Sequence, residues 1–161
     1  ADVTVPGRMN VLKKDRRTVI VDYAHNFLSF TALFCSLRQD YPGAPIKVLC
    51  GCPGHKNQKR RVDIGRLCGQ YADFVYLTAE DPGFEDPAEI CREMAGYIAE
   101  YHRRFVILPD RTAAVETAIA ELLPGELLIL AGKGEEDYQK MQGRYDFYES
   151  DLVIARRCLG L

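Results

Sequence analysis

The sequence lacks any apolar run near the roughly 20 residues that a membrane-spanning helix needs. It also has no charged-then-apolar leader pattern at its start. We therefore expect a soluble, cytoplasmic protein without a membrane partner. The chain begins at Ala1 without a methionine, which suggests an excised domain or a processed N-terminus.

A CxxC pair is also missing, although the chain has six cysteines. They are scattered and most lie in apolar runs, which favours reduced core residues over a disulfide framework. Cys50-Gly51-Cys52 comes closest to a metal motif, but a zinc site needs further ligands at matching spacing, and His55 alone is a poor candidate. We predict no metal site built from these thiols.

The phosphate-binding signature GxxxxGK[ST] does not occur in the chain. The segment Ala131-Gly132-Lys133-Gly134 lacks the upstream glycine and the following hydroxyl residue. An enzyme that used ATP would therefore need a triphosphate cradle from another domain. The three histidines lie in different contexts, so no catalytic triad is indicated.

What is present is the composition of one ordinary domain: 161 residues, 47% hydrophobic, with a formal net charge of -2. This charge gives no large field for capturing a polyanion, so we expect no nucleic-acid partner. Val5-Pro6-Gly7-Arg8 resembles a hinge. We predict that 1–161 is a single domain and that residues 1–12 are a hinge leading into it.

Short β-branched runs alternate with longer amphipathic stretches. The runs predict strands at 18–21, 46–49, 74–77, 105–108 and 127–130. Apolar residues at helical spacing predict helices at 27–40, 60–71, 87–102 and 111–123. After residue 138 we predict a short ribbon through Gly143 and a final helix after Ser150-Asp151. This alternation is typical of an α/β protein with a mostly parallel sheet flanked by helices.

The loops after the strands carry the candidate binding residues, because the carboxyl ends of parallel strands meet at one edge. Tyr23 and His25 fit either a nucleobase sandwich or ordinary packing. Asp22 fits either an acceptor for a ribose hydroxyl or a helix cap. The basic loop 51–61 fits either an anion site or a solvated turn.

Two acid pairs, Glu80-Asp81 and Glu135-Glu136, also follow strands. Carboxylates gathered in one cleft repel one another, which is offset if a cation binds between them. A lysine-like ammonium fits such a pocket. The alternative is that these acids complement helix dipoles.

Together these loops resemble the Mur ligase family, and within it the branch that adds the third residue of the peptidoglycan stem peptide. The resemblance covers nearly the whole chain. It is carried by the order and spacing of Pro6-Gly7-Arg8-Met9, Asp22-Tyr23-Ala24-His25, Gly51-Cys52-x-Gly54, Glu85-Asp86-Pro87, Asp110-Arg111, Ala131-Gly132-Lys133-Gly134 and Tyr138-Gln139. It implies a Rossmann-like C-terminal domain that closes over a central ATPase domain holding the P-loop.

The resemblance also implies the reaction. ATP and the terminal carboxylate of UDP-N-acetylmuramoyl-dipeptide form an acyl phosphate, which the amino group of a diamino acid attacks. Positioning and charge neutralisation would carry catalysis, so no catalytic residue is assigned and the domain alone is expected to be inactive. Magnesium ligands are expected in the central domain, and no metal ligand is assigned here.

Binding residues are assigned by the same resemblance. Contacts with ATP are expected from Arg8, Asp22, Tyr23, His25, Asn57 and Arg111. Contacts with the incoming amino acid are expected from Lys56, Glu80, Asp81, Gly83, Gly132, Gly134 and Glu136.

One loop departs from relatives that add meso-diaminopimelate. Those relatives have Asp-Asn-Pro-Arg, whose arginine pairs with the distal carboxylate, whereas this chain has Glu80-Asp81-Pro82-Gly83. The family's Gly-Lys-Gly-His-Glu likewise becomes Gly132-Lys133-Gly134-Glu135-Glu136. The loop has lost the arginine of those relatives but keeps its acids, which favours a side chain that ends in an ammonium group without a carboxylate. The resemblance therefore implies L-lysine, or L-ornithine, as the added amino acid, with Lys56 binding the α-carboxylate.

Two alternatives stay open. The chain fits a related ligase of the superfamily with another substrate, or a stand-alone nucleotide-binding or regulatory α/β module. An RNA-binding role for the basic loop is disfavoured because aromatic residues are not interleaved there.

Overall fold

The computed structural model describes residues 9–161, and a six-stranded sheet forms its centre. The strands of this sheet are β1 (Asn10–Lys14), β2 (Arg17–Asp22), β3 (Ile46–Cys50), β4 (Phe74–Leu77), β5 (Arg104–Ile107) and β6 (Leu127–Ala131). Their order is β1-β2-β6-β3-β4-β5, and only β1 runs antiparallel to its neighbour. The predicted mostly parallel α/β fold is therefore confirmed.

Five helices and a hairpin complete the described fold. The helices are α1 (Phe27–Asp40), α2 (Lys59–Tyr71), α3 (Pro87–Ala99), α4 (Arg111–Ala120) and α5 (Asp151–Leu159). The hairpin consists of β7 (Tyr138–Met141) and β8 (Arg144–Phe147), which pair antiparallel. The predicted ribbon and final helix are confirmed, although α3 and α4 end three residues earlier than the spacing predicted.

The sheet is covered on both faces. Successive side chains of a strand point to opposite faces, so Val48 of β3 packs in the core under α1, α2 and α3. Its neighbour Leu49 packs in a second core under α4 and α5. Burial on both faces explains why the parallel strands are continuous apolar runs rather than alternating ones.

The predicted hinge over residues 1–12 stays a prediction, but its last three residues belong to a strand. Residues 10–14 form β1, which pairs with β2 from Asn10↔Val21 to Lys14↔Arg17. In this edge strand Leu12 is buried while Val11 and Lys13 are exposed, so the sequence has no β-branched run to mark it. Residues 1–8, and with them Arg8, lie outside the described residues.

The cysteines are all free, as predicted for reduced core residues. Four are buried, but the predicted core position is wrong for Cys35, which is exposed, and Cys158 is only partly buried. The hydrogen bond with Cys68 is the largest cause that raises the pKa of the Cys50 thiol, and burial is the second largest. Among the described helices, none has the length and apolarity to cross a membrane.

A buried ion pair joins the two helices on the second face. Nε and Nη2 of Arg111 donate to the two carboxylate oxygens of Asp151 at 2.9 and 2.7 Å, and both side chains are fully enclosed. The same guanidinium donates to the carbonyl oxygens of Ala79 and Ala131 at 3.0 and 2.9 Å. It therefore ties the ends of β4 and β6 to the start of α5.

We predict that Arg111→Met strongly destabilises the fold, because it leaves Asp151 buried without its cation. The expected loss of unfolding free energy is about 3–5 kcal/mol, measured by urea denaturation of this chain. The matched control is Arg144→Met, whose pair with Asp146 is exposed and should cost at most about 1 kcal/mol. Similar losses for the two variants would contradict the role given to Arg111.

Candidate functional site

The candidate site lies at the carboxyl edge of the sheet, where four loops meet. The loop after β6 is joined to β2 by Gly132 N–H, which donates to the carbonyl oxygen of Asp22 at 3.0 Å. The loop after β3 is joined to the loop after β4 by Gly54 N–H, which donates to the carbonyl oxygen of Asp81 at 2.9 Å. The expected convergence of the loops is therefore confirmed.

Asp22 organises the start of the site through backbone groups. One of its carboxylate oxygens accepts from Met9 N–H at 2.8 Å, and the other accepts from Ala24 N–H at 2.7 Å. Asp22 is buried, and the residue that caps α1 is Asn26, whose side chain accepts from Ser29 N–H at 2.9 Å. The helix-cap alternative for Asp22 is thus wrong.

Tyr23 lies flat against the loop after β6. A β-carbon on Gly134 would lie 2.5 Å from the Tyr23 ring, so only glycine permits this approach. Burial and the nearby Glu136 raise the pKa of Tyr23. Because Glu136 was assigned to the amino acid and Tyr23 to ATP, the two predicted sets of residues meet at this point.

His25 and Asn57 are placed near the starts of α1 and α2. The ring nitrogen Nδ1 of His25 lies 2.8 Å from the carbonyl oxygen of Tyr23, which fixes the ring next to the tyrosine. Asn57 borders a cleft of about 210 Å³ between the two helix starts. The other residues that line this cleft are Asn26, Phe27, Leu28, Lys59, Arg60 and Asp63.

Lys56 and Arg111 have opposite environments. Lys56 is exposed and forms no ion pair with residues 9–161. Arg111 is 1% exposed, and its donors are taken by Asp151, Ala79 and Ala131. In this structure its guanidinium does not reach the cleft, so the geometry does not support the expected contact of Arg111 with ATP.

Two of the predicted acids are paired internally. Lys133 is fully buried, and its ammonium donates to Asp81 Oδ1 at 2.9 Å and to Glu136 Oε2 at 3.1 Å. The same ammonium lies 4.7 Å from the centre of the Tyr138 ring. Sequence reasoning missed this role of Lys133, which joins a carboxylate of the loop after β4 to a carboxylate of the loop after β6.

Among the three acids assigned to the amino acid, Glu80 has no partner within residues 9–161. It is 7% exposed, and within residues 9–161 its carboxylate neither accepts a hydrogen bond nor forms an ion pair. Burial raises its pKa to about 7, although Arg111, Arg60 and Lys133 act in the opposite direction. A β-carbon on Gly132 would lie 2.9 Å from Glu80 Oε2, so the glycine allows the carboxylate to sit against this loop.

Gly83 connects the loop after β4 to the hairpin. Its N–H donates to the carbonyl oxygen of Lys140 and its carbonyl accepts from Gln142 N–H, both at 2.9 Å. Gly83 has φ of 60°, and a β-carbon there would meet nothing closer than the His55 ring at 3.9 Å. The hairpin thus forms a wall of the site. The sequence predicted the hairpin itself but not its position beside the site.

The basic loop is partly structural. Arg61 is buried and pairs with Glu85 and Glu93, and it also donates to the carbonyl oxygen of Pro53 at 3.3 Å. The alternative of a purely solvated turn is therefore wrong. Arg60 Nε is enclosed and has no hydrogen-bond partner among the described residues.

The described residues include no group of three or more histidine, cysteine, aspartate or glutamate side chains placed to hold a metal ion. The location of the magnesium ligands in another domain stays a prediction.

Comparison with known proteins gives consistent results. The family model described as Mur ligase, glutamate ligase domain, matches residues 7–134. The UDP-N-acetylmuramyl-tripeptide synthetase of Ligilactobacillus salivarius is 40% identical over 156 residues, which are 96% of this chain and 31% of that protein. The UDP-N-acetylmuramoyl-L-alanyl-D-glutamate--L-lysine ligase of Streptococcus pyogenes (strain MGAS6180) is 40% identical over 163 residues, with coverages of 99% and 33%.

A solved UDP-N-acetylmuramoyl-L-alanyl-D-glutamate--2,6-diaminopimelate ligase superposes with a TM-score of 0.86 at 28% identity, covering 98% of this chain and 32% of that one. The chain thus spans about a third of the length of the curated relatives it matches. The family model covers most of the chain. The chain therefore belongs to the Mur ligase family, as a C-terminal domain.

Proposed function

We propose that the complete protein is an ATP-dependent, ADP-forming ligase in cytoplasmic peptidoglycan precursor synthesis. It adds a diamino acid to UDP-N-acetylmuramoyl-L-Ala-D-Glu, with L-lysine preferred over meso-diaminopimelate. This chain supplies one wall of the active site, and preceding N-terminal and central domains supply the rest. The observation that carries the proposal is the group of acids Glu80, Asp81 and Glu136 in the loops after β4 and β6, together with position 83, which has no side chain to bind a second carboxylate.

The charges of the acids in the loops after β4 and β6 support lysine. Lys133 offsets one charge of Asp81 and Glu136, which leaves this trio with a net negative charge when both acids are ionised. Glu80 adds a carboxyl group that has no internal partner. An ammonium group would complete this arrangement, whereas a further carboxylate would be repelled unless a cation accompanied it. Relatives from Enterococcus faecalis and Streptococcus pyogenes carry the name of lysine ligases.

The other proposed contacts with the amino acid are those of Lys56, Gly132 and Gly134, and they are inferred from where these residues lie. Lys56, which is exposed beside the loop after β4, would bind the α-carboxylate. The backbone of Gly132 and Gly134 would line the pocket, because both residues lie against side chains of the site.

The ATP contacts are proposed for the side of Gly134 against which the Tyr23 ring packs, away from the amino-acid contacts. Tyr23 and His25 would pack against the adenine, and Asn57 would contact the nucleotide at the cleft between α1 and α2. Asp22 would act mainly by holding this loop, since both of its carboxylate oxygens accept backbone N–H groups. Bound magnesium would neutralise phosphate charge, with its ligands on the central domain.

We predict that the complete protein releases phosphate from ATP and UDP-N-acetylmuramoyl-L-Ala-D-Glu much faster with L-lysine than with meso-diaminopimelate. Rates with L-lysine, L-ornithine and meso-diaminopimelate would be compared as kcat/KM. The 161-residue chain alone should release no phosphate above background, because the triphosphate cradle is expected elsewhere. A clear preference for meso-diaminopimelate would contradict the proposed specificity.

A guanidinium at position 83 should change this preference. We predict that Gly83→Arg raises the ratio of kcat/KM for meso-diaminopimelate over L-lysine by about tenfold, since one new charge pair contributes about 1–2 kcal/mol. Gly83→Ala is the matched control, because it carries the same backbone strain at φ of 60° without the charge. The control should lower both rates evenly. The same ratio of kcat/KM values in Gly83→Arg and Gly83→Ala would contradict the proposed role of this position.

We predict that Tyr23→Ala raises the KM for ATP about tenfold, because loss of base stacking costs about 1–3 kcal/mol. Tyr23→Phe keeps the ring against Gly134 and should leave this KM within about twofold of the original. Initial rates at saturating lysine would measure both. An unchanged KM for ATP in Tyr23→Ala would remove this residue from the nucleotide site.

A further inference from the structure

The first strand of the hairpin, β7, lies along residues 80–83, the loop that the proposed function assigns to the side chain of the incoming amino acid. Its backbone holds the later part of this loop. The N–H of Lys140 donates to Asp81 Oδ1 at 2.9 Å, and the N–H of Gly83 donates to the carbonyl oxygen of Lys140 at 2.9 Å. The N–H of Gln142 donates to the carbonyl oxygen of Gly83, also at 2.9 Å. The end of the loop is therefore fixed by main-chain groups of the hairpin.

The start of the loop is held by a side chain of the hairpin instead. Nε2 of Gln139 donates to the carbonyl oxygen of Glu80 at 3.1 Å and, more weakly, to that of Ala79 at 3.5 Å. The Ala79 oxygen also accepts from Arg111 Nη1 at 3.0 Å. Among the described residues, the Glu80 oxygen accepts from Gln139 alone. The orientation of the peptide group between Glu80 and Asp81 therefore depends on this amide.

A cavity of about 330 Å³ lies beside this contact, between the hairpin and the loops after β4 and β5. Ala79, Pro109, Gln139 and Met141 are among the residues that line it. Side chains of a strand alternate between its two sides, so Gln139 and Met141 share the side of β7 that borders the cavity. Open space therefore borders the start of the loop here, where packed side chains would otherwise fix its position. The hydrogen bond from Gln139 has to do so.

We propose that Gln139 is a positioning residue for the side-chain pocket of the incoming amino acid. The inference rests on the proposed ligase function. The side chains of Glu80 and Asp81 leave the backbone on either side of the peptide group that Gln139 holds, so rotation of this group moves both carboxylates. An ion pair with the side-chain ammonium of lysine requires the nitrogen and the carboxylate oxygens to lie within a narrow range of distances. The amide of Gln139 thus acts on lysine through the two acids, without touching it.

The other bonds of the loop do not replace this one. The Lys133 ammonium and the N–H of Lys140 hold the Asp81 carboxylate, and the N–H of Gly54 donates to the carbonyl oxygen of Asp81 at 2.9 Å. All three act on Asp81. The carboxylate of Glu80 has no hydrogen bond or ion pair among residues 9–161, so its direction depends on the backbone that carries it. Glu80 is therefore the acid that should respond most to loss of the Gln139 amide.

The test is Gln139→Met in the complete protein, because methionine keeps the length of the side chain and removes its N–H donors. We expect the KM for L-lysine to rise about tenfold, while kcat and the KM for ATP stay within about twofold of the original values. Gln139→Glu, which sets an oxygen against the two carbonyl oxygens, should raise the KM for lysine at least as much. Gln142→Met is the matched control on the same hairpin, since the Gln142 side chain is exposed, and it should change none of these values by more than about twofold.

Backbone hydrogen exchange of the complete protein gives a second readout. In Gln139→Met, amides of residues 79–83 should exchange faster, while those of β6 should exchange as before, because the change is local. An unchanged KM for lysine, or equal rises in the KM for lysine and for ATP, would overturn the positioning role, and so would faster exchange throughout the sheet or loss of the fold in both Gln139 variants. An original protein that releases no phosphate with any amino acid would instead refute the proposed ligase function, and hydrogen exchange would still report whether Gln139 holds the loop.

Discussion

The pairing of Arg111 with Asp151 is the interaction on which the geometry of the site depends. The strands β4 and β6 are not neighbours, because β3 lies between them. The guanidinium nevertheless bonds to a carbonyl oxygen at the end of each, while Asp151 anchors it to the start of α5. Glu80 follows the first of these carbonyls and Gly132 follows the second. The contact between Glu80 and Gly132 is thus held by a cation buried behind the site.

Lys133 is a second buried cation that holds loops of the site together. A buried ammonium costs free energy unless carboxylates surround it, and here Asp81 and Glu136 do so. The pairing holds together two acids that would otherwise repel each other. Glu80 differs from these two acids, because its carboxylate has no hydrogen bond or ion pair among residues 9–161.

Most of the fold was predictable from the sequence because buried parallel strands must be continuous apolar runs and helices must show one apolar face. The edge strand β1 was not, since Leu12 is its one buried side chain. Convergence of the loops was predictable from the rule for parallel sheets. The roles of Arg111 and Lys133 were not, because their partners Asp151 and Asp81 lie 40 and 52 positions away in the chain. Charge at such distances gives no local pattern to read.

The ionised carboxylate of Glu80 destabilises the folded protein, in contrast to the paired carboxylate of Asp151. Its pKa in the folded protein is about 7, above the ordinary 4.5, so the unfolded chain ionises first as pH rises. Stability is therefore unaffected by this group below about 4.5, declines between 4.5 and 7, and stays reduced above 7. The reduction corresponds to roughly 3 kcal/mol, a large part of the stability of a small domain. A neutral side chain of the same size would avoid this cost, so the acid is better explained by the binding of a ligand ammonium group than by folding.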